Sequence, residues 1–289
     1  MHGRESALKA DGLFDIGGRV AVVTGGGGDL CGSMCLALGA RGARVAVLDL
    51  KPDKAEAVAE AVRKAGGEAR AFACSVLDER AMADHCSAIQ RLWGAPDILV
   101  NGAGGNDPRG STSMEFLDAS GPSNPDAGSF FDLDAEAIRA TFELNFQGTL
   151  LPTRVFARGM VEKGKGAILN MSSMSALTPL TKVGAYSAAK AAVANFTRWL
   201  AVHFSRTGVR VNALAPGFFL TEQLRFLHID RETGRFTERA QKVIAHTPLG
   251  RYGEPDDLWG TLLWLVSDAS LFVTGVVVPV DGGFSAYSI

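Results

Sequence analysis

Seven short apolar runs, at 19–24, 43–49, 68–74, 97–101, 167–172, 209–214 and 275–280, alternate with longer stretches of helical spacing through the 289-residue chain. That alternation constrains the fold most, because strands separated by helices join as βαβ units whose crossovers leave the strands parallel. Several runs are apolar at nearly every position rather than every second one, the pattern of strands covered on both faces. The spacing therefore predicts an α/β fold of one domain, 1–289, doubly wound about a central, mostly parallel seven-stranded sheet. Residues 1–17 read as an N-terminal extension. No Pro- or Ser-rich linker and no internal repeat divides the alternation.

The stretch 53–65 carries Ala and Val at helical spacing, and Gly66-Gly67 closes it as a C-cap. The stretches 134–161 and 185–205 are the longest expected helices, the first continuous apart from Pro152. Two segments break the rhythm, 104–132 and 218–247. Both follow strand C-termini, the edge at which open α/β sheets take ligands, so both are expected as substrate-side loops and lids.

Hydrophobic residues make up 47% of the chain and charged residues 21%, and the net charge of -2 offers no basic footprint for nucleic acid. No apolar segment approaches the roughly 20 residues that span a bilayer, and the start lacks a leader pattern, so a cytoplasmic protein is expected. Cys31, Cys35, Cys74 and Cys86 form no C-x-x-C pair, and His85 adjoins Cys86 rather than standing at ligand spacing. Buried thiols and no metal site are the expectation.

The turn Thr24-Gly25-Gly26-Gly27-Gly28-Asp29-Leu30-Cys31-Gly32 directly follows the first run and opens a helix. Glycines allow a tight turn and close backbone approach, and helix N-terminal amides attract an anion, so the place suits the pyrophosphate of a dinucleotide bound by a Rossmann fold. Asp49 ends the second run, where a carboxylate can accept from both hydroxyls of an adenosine ribose and repel a 2′-phosphate. NAD is therefore expected over NADP, with Lys51 working against the preference.

Tyr186 and Lys190 are four residues apart on an expected helix and share one face. A free phenol titrates near about 10, too high for exchange near neutrality, and an adjacent ammonium is expected to lower it. Tyr186 then reads as the proton-transfer residue and Lys190 as its tuner. Ser173 ends the fifth run and can donate to a substrate oxygen during hydride transfer.

With these residues the chain resembles the short-chain dehydrogenase/reductase family from 19 to 284. Asn101-Gly102-Ala103-Gly104 is similar to its Asn-Asn-Ala-Gly segment, and Asn145 in Leu-Asn-Phe-Gln-Gly to its helix asparagine. Pro216-Gly217 through Thr221 is similar to its Pro-Gly-x-x-x-Thr turn, and Asp281-Gly282-Gly283 to its closing signature. The resemblance implies a catalytic tetrad of Asn145, Ser173, Tyr186 and Lys190, with Asn145 holding a water that links Lys190 to solvent. It implies a dinucleotide held by Gly25, Gly28, Asp29, Leu30, Asp49, Ser75, Val76, Asn101, Ala103, Gly104, Tyr186, Lys190, Pro216, Gly217, Phe219 and Thr221. It also implies a homo-oligomer, tetramer or dimer. The chain departs from the pattern where Asp29 and Cys31 replace glycines, displaced here to Gly28 and Gly32, and where Ser75-Val76 replaces Asp-Val.

The displaced turn, Gly105-Asn106, the 104–132 insertion, Phe218-Phe219-Leu220-Thr221-Glu222-Gln223 and the ending Gly283-Phe284-Ser285-Ala286-Tyr287 resemble one branch of that family, provisionally named D-mannonate oxidoreductases. That implies interconversion of D-mannonate and D-fructuronate with NAD. A sugar acid needs a cation for its carboxylate and polar partners for its hydroxyls. Arg109, Lys182 and Arg225 are candidates for the first, Asn106 and Gln223 for the second, and each is equally readable as a solvated loop residue. A polyol, steroid or acyl thioester ketone is the alternative substrate class, and a nucleotide-binding protein without turnover is the alternative from another class.

Overall fold

The computed structural model describes residues 12–119, 128–222, 228–230 and 233–288. The runs become β1 (Val20–Thr24), β2 (Arg44–Asp49), β3 (Glu68–Ala73), β4 (Ile98–Asn101), β5 (Gly166–Met171), β6 (Val209–Pro216) and β7 (Val277–Val280). They form one sheet in the order β3-β2-β1-β4-β5-β6-β7, and every pairing is parallel. The expected mostly parallel sheet is thus wholly parallel. Chain direction across the sheet reverses between β1 and β4, which opens a crevice beyond their C-terminal ends.

Alternate strand residues face opposite sides, and each side has its own core. Ala21, Val23, Val45 and Val47 pack against Met34 and Leu38 of α1 (Asp29–Ala40) and Ala59 and Val62 of α2 (Pro52–Lys64). Val20, Val22, Ala46 and Leu48 pack on the other side. Their partners there are Met82 and Ile89 of α3 (Glu79–Trp93) and Phe156 and Met160 of α5 (Gly148–Glu162). Phe156 is fully buried, and its truncation to Ala would cost about 3–5 kcal/mol. Ile16 is fully buried in the first of these cores, so packing begins inside the segment expected as an extension.

The stretch 134–161 is not one helix. A π-helical segment, Glu143–Gln147, separates α4 (Ala135–Phe142) from α5, whereas Pro152 lies inside α5 without ending it. Such a widened turn redirects side chains and recurs at functional sites. Side chains satisfy carbonyls around it: Asn145 Nδ2 donates to Thr141 O at 2.8 Å, and Thr149 Oγ1 to Asn145 O at 2.9 Å. The next helix, α6 (Gly184–His203), runs close to the expected bounds. Cys31, Cys35, Cys74 and Cys86 are free and buried. Among the described residues no helix is long and apolar enough to cross a membrane, and no His/Cys/Asp/Glu group could hold a metal.

Candidate active site

Strand ends bring the expected tetrad together. Ser173 lies just beyond β5 and begins a short turn, its Oγ accepting from Ser175 N at 3.2 Å and from Ser175 Oγ at 3.0 Å. Tyr186 stands on the first turn of α6, and Ser173 is the polar side chain that acts on its hydroxyl. Lys190, one turn on, is buried, with Nζ donating to Met171 O at 2.8 Å and lying 5.7 Å from the Tyr186 ring centroid. Asn145 is gripped by the backbone of one residue: its Nδ2 donates to Gly105 O at 2.7 Å, and Gly105 N donates to its Oδ1 at 3.2 Å. Asn145 and Lys190 meet at Gly104, where a Cβ would stand 2.7 Å from Asn145 Oδ1 and 3.0 Å from Lys190 Nζ. A side chain at 104 would push into the pair.

The electrostatics correct one expectation. Burial pushes the Tyr186 phenol above its usual value, and the Ser173 hydroxyl only opposes this. Lys190 is not what lowers it. Burial instead pushes the Lys190 ammonium down to about 8, because the charged form loses water and gains only a neutral carbonyl partner. Burial thus favours the neutral form of both groups, and a neutral Lys190 can take up the proton that Tyr186 gives.

The glycine turn forms a cradle. Gly25 has φ +64°, and a Cβ there would lie 2.8 Å from Ala103 N, so the turn tolerates only glycine at that point. Thr24 Oγ1 accepts from Gly102 N at 3.0 Å and Ala103 N at 3.3 Å, joining the ends of β1 and β4. Gly28 caps α1 without a side chain, leaving helix N-terminal amides for an anion. Asp49 lies against the turn, its Oδ2 accepting from Gly27 N at 3.0 Å and its Oδ1 from Lys51 N at 2.9 Å. Backbone amides, a positive-φ glycine and a carboxylate at the end of β2 fit a dinucleotide.

Two departures from the glycine pattern acquire physical reasons. A Cβ at Gly102 would stand 2.1 Å from Cys31 Sγ. The thiol occupies the space of the side chain expected at 102, so a cysteine and a glycine have traded volume. Burial pushes that thiol up to about 12, which makes it neutral packing rather than a nucleophile. Asp29 turns its Oδ2 to Glu222 N at 2.6 Å, in the segment after β6.

Several expected cofactor side chains face elsewhere. Asn101 is 1% exposed, its Nδ2 donating to Thr153 Oγ1 and Asn170 Oδ1, both at 2.9 Å, so it fastens β4 to α5 and β5 rather than lining the cleft. Ser75 Oγ accepts from Leu77 N at 3.1 Å in a local turn, and the Val76 side chain is buried against Gly148. The Leu30 side chain packs on the core. Phe219 buries its ring against Gly253, while Gly217 N donates to Val280 O at 3.0 Å and fixes the exit of β6 after Pro216. At these positions only the backbone would be left to meet a cofactor. Thr221 is half-buried, its N donating to Phe219 O at 2.9 Å.

The substrate-side candidates separate. Arg109 folds back onto Asp107, with Nη2 to Oδ2 at 2.8 Å and Nε to Oδ1 at 3.2 Å, and reaches Asp134 at 3.4 Å. Two neighbouring aspartates neutralise it, which removes it as a ready carboxylate partner. Asn106 Nδ2 donates to Ser111 Oγ at 2.9 Å. Lys182 adopts φ +73°, the one non-glycine with positive φ among the described residues, and its carbonyl accepts from Thr112 N at 2.9 Å. No carboxylate pairs with its ammonium among those residues. Gln223 and Arg225 lie outside the described residues.

An α/β sheet with a dinucleotide cradle beside a Ser, Tyr and Lys cluster is the architecture of a nicotinamide-dependent oxidoreductase. The family described as enoyl-(acyl carrier protein) reductase matches residues 31–285. The chain is 48% identical to the uncharacterised oxidoreductase UxuB of Bacillus subtilis over 95% of this chain and 97% of that one. It is similar to a Haemophilus influenzae crystal structure provisionally named D-mannonate oxidoreductase, with bound NAD. That match has TM-score 0.89 and 46% identity, over 95% of this chain and 97% of that one. A gluconate 5-dehydrogenase from Burkholderia cenocepacia, in complex with NADP and tartrate, matches with TM-score 0.82 and 28% identity over 97% and 100%. The chain belongs to the short-chain dehydrogenase/reductase family.

Proposed function

We propose that the protein is an NAD-dependent dehydrogenase that oxidises a secondary alcohol of a sugar acid, of the D-mannonate/D-fructuronate type, and reduces the ketone in the reverse direction. The meeting of Asn145 and Lys190 at Gly104, with Tyr186 beside Lys190 and Ser173 acting on Tyr186, carries the chemistry. Bound NAD would supply the hydride acceptor. Tyr186 takes the proton of the substrate hydroxyl, and Ser173 hydrogen-bonds the same oxygen as charge develops on it. Lys190 shares the proton with Tyr186, and Asn145 fixes the Gly104-Gly105 peptide that borders both.

Backbone groups of Gly25, Gly28, Leu30, Ala103, Gly104 and Gly217 hold the dinucleotide, with Thr221 beside them. Each Asp49 oxygen accepts one backbone amide and keeps a lone pair for a ribose hydroxyl. The same charge disfavours a 2′-phosphate, which supports NAD. Lys182 supports an acidic substrate: its ammonium, free of carboxylate partners among the described residues, stands four residues before Tyr186 on strained backbone. Strain of that kind costs about 1–3 kcal/mol and gathers at functional sites.

The reading extends to a cytoplasmic homo-oligomer, dimer or tetramer. Free thiols fit a reducing compartment, and α6 exposes Trp199 and Val202, at 57% and 76%, as an apolar face for a second copy.

A panel of hexonates, polyols and steroids assayed by NADH formation tests the substrate. A preference for D-mannonate is expected, and a clear preference for a non-acidic alcohol overturns the assignment. Oxidation needs the deprotonated pair, so kcat/KM for oxidation should rise as pH passes upward through about 8, where Lys190 titrates. Reduction should fall over the same window.

A further inference from the structure

We propose that Asp29 is a positioning residue that clasps the segment after β6 across the glycine turn, so that the dinucleotide leaves only when the clasp opens. The proposal rests on the cofactor reading above. Asp29 is the first residue of α1, where a carboxylate is favoured by the helix dipole. Its Oδ2 nevertheless reaches out of the helix, to the amide of Glu222, 193 residues away in the chain, at 2.6 Å. A bond of that length from an amide to a carboxylate is of the charge-assisted kind.

Glu222 is held from the other side of the turn as well. Its Oε2 lies 3.8 Å from Lys54 Nζ on α2, and the Lys54 stem closes over the turn, with a Cβ at Gly27 meeting Lys54 Cβ at 2.7 Å. The other end of the short span is fixed by Phe219, which bridges Gly253 and buries its ring there. The chain from 219 to 222 therefore runs between two anchors, one in the core and one on α1. Dinucleotides in this fold extend from the N-terminus of the first helix across the crevice, the interval that this span bridges. Glycine at 29 could not make the bond, so the departure from the family pattern is what creates the clasp.

Two readouts test it: NADH dissociation by stopped-flow displacement, and hydrogen exchange of the Glu222 amide in protein free of cofactor. Asp29→Gly should speed both by about tenfold, as loss of roughly 1.4 kcal/mol would. Asp29→Asn keeps an oxygen acceptor and should restore both to within about threefold, since a neutral acceptor retains much of the bond. Unchanged exchange and release in Asp29→Gly overturn the proposal. So does an Asn variant as fast as the Gly variant, or slower NADH release on losing Asp29, which would mean that the carboxylate acts by charge on the pyrophosphate. Asp29→Ala is the second variant should glycine unfold the turn. If the unaltered protein shows no saturable NADH binding, the cofactor reading fails, while the exchange measurement still decides whether the clasp exists.

Discussion

Asn145 and Lys190, at the floor of the cleft, are buried and donate to main-chain carbonyls, whereas Asn106 and Arg109, at its rim, are exposed and bond side chains, most of them a few residues away. The floor is over-determined: the π turn, the Gly105 peptide and the end of β5 each fix a catalytic candidate from a different element. Asn106 and Arg109 bond mostly within their own loop and, among the described residues, to no strand, so they can change without disturbing the sheet. This difference explains how one family keeps its chemistry while its substrates vary.

The sharpest way to break the comparison is at the floor. Tyr186→Phe should lower turnover about 1000-fold, within the range for removing a positioned acid/base, and leave NADH binding near normal in a fluorescence titration. Turnover close to that of the unaltered enzyme would move proton transfer to another group. Next in size is Gly102→Asn, which restores the family residue but drives its Cβ into Cys31 Sγ. Overpacking of that kind should cost about 1–3 kcal/mol in thermal or urea unfolding, and Cys31→Gly in the same chain should recover most of it. Two additive losses would mean that the two positions are not exchanging volume.

On the rim the effects should be smaller and selective. Lys182→Ala keeps the strained φ and removes only the ammonium, so KM for a hexonate should rise about tenfold with kcat little changed. An equal rise for a neutral polyol would make the residue a loop support instead. Arg109→Ala should change kcat/KM by less than about twofold, because the guanidinium is exposed and already paired with Asp107 and Asp134.

The sheet, the glycine turn and the Tyr186–Lys190 pair were legible because each is written in a short stretch: apolar runs, clustered glycines, an i,i+4 spacing. The direction of side chains was not. Nothing local marks Asn101 as facing α5 and Asn170 rather than the cleft, because that depends on helix packing settled far along the chain. The π turn at Glu143–Gln147 has no periodicity of its own and vanished into the helical pattern around it. The Asp29–Glu222 bond joins distant segments, and its only trace was an acid where glycine is usual. Arg109 carried a readable warning in Asp107, two residues before it. The phenol's upward shift follows from burial, a quantity that spacing does not report.

Asn101 and Asn170 lie directly opposite one another in the β4–β5 pairing, with Thr153 on one flank and Thr197 on the other. Apolar strands offer little to tell one alignment from another shifted by two residues. These amides do, since a shift would strand buried polar groups at about 1–3 kcal/mol apiece. The network therefore works as an index mark. It sets the hydroxyl of Ser173, at the end of one strand, and the backbone of Gly104, beyond the end of the next, to a common zero, so the reacting groups inherit their alignment from a bond made deep in the sheet.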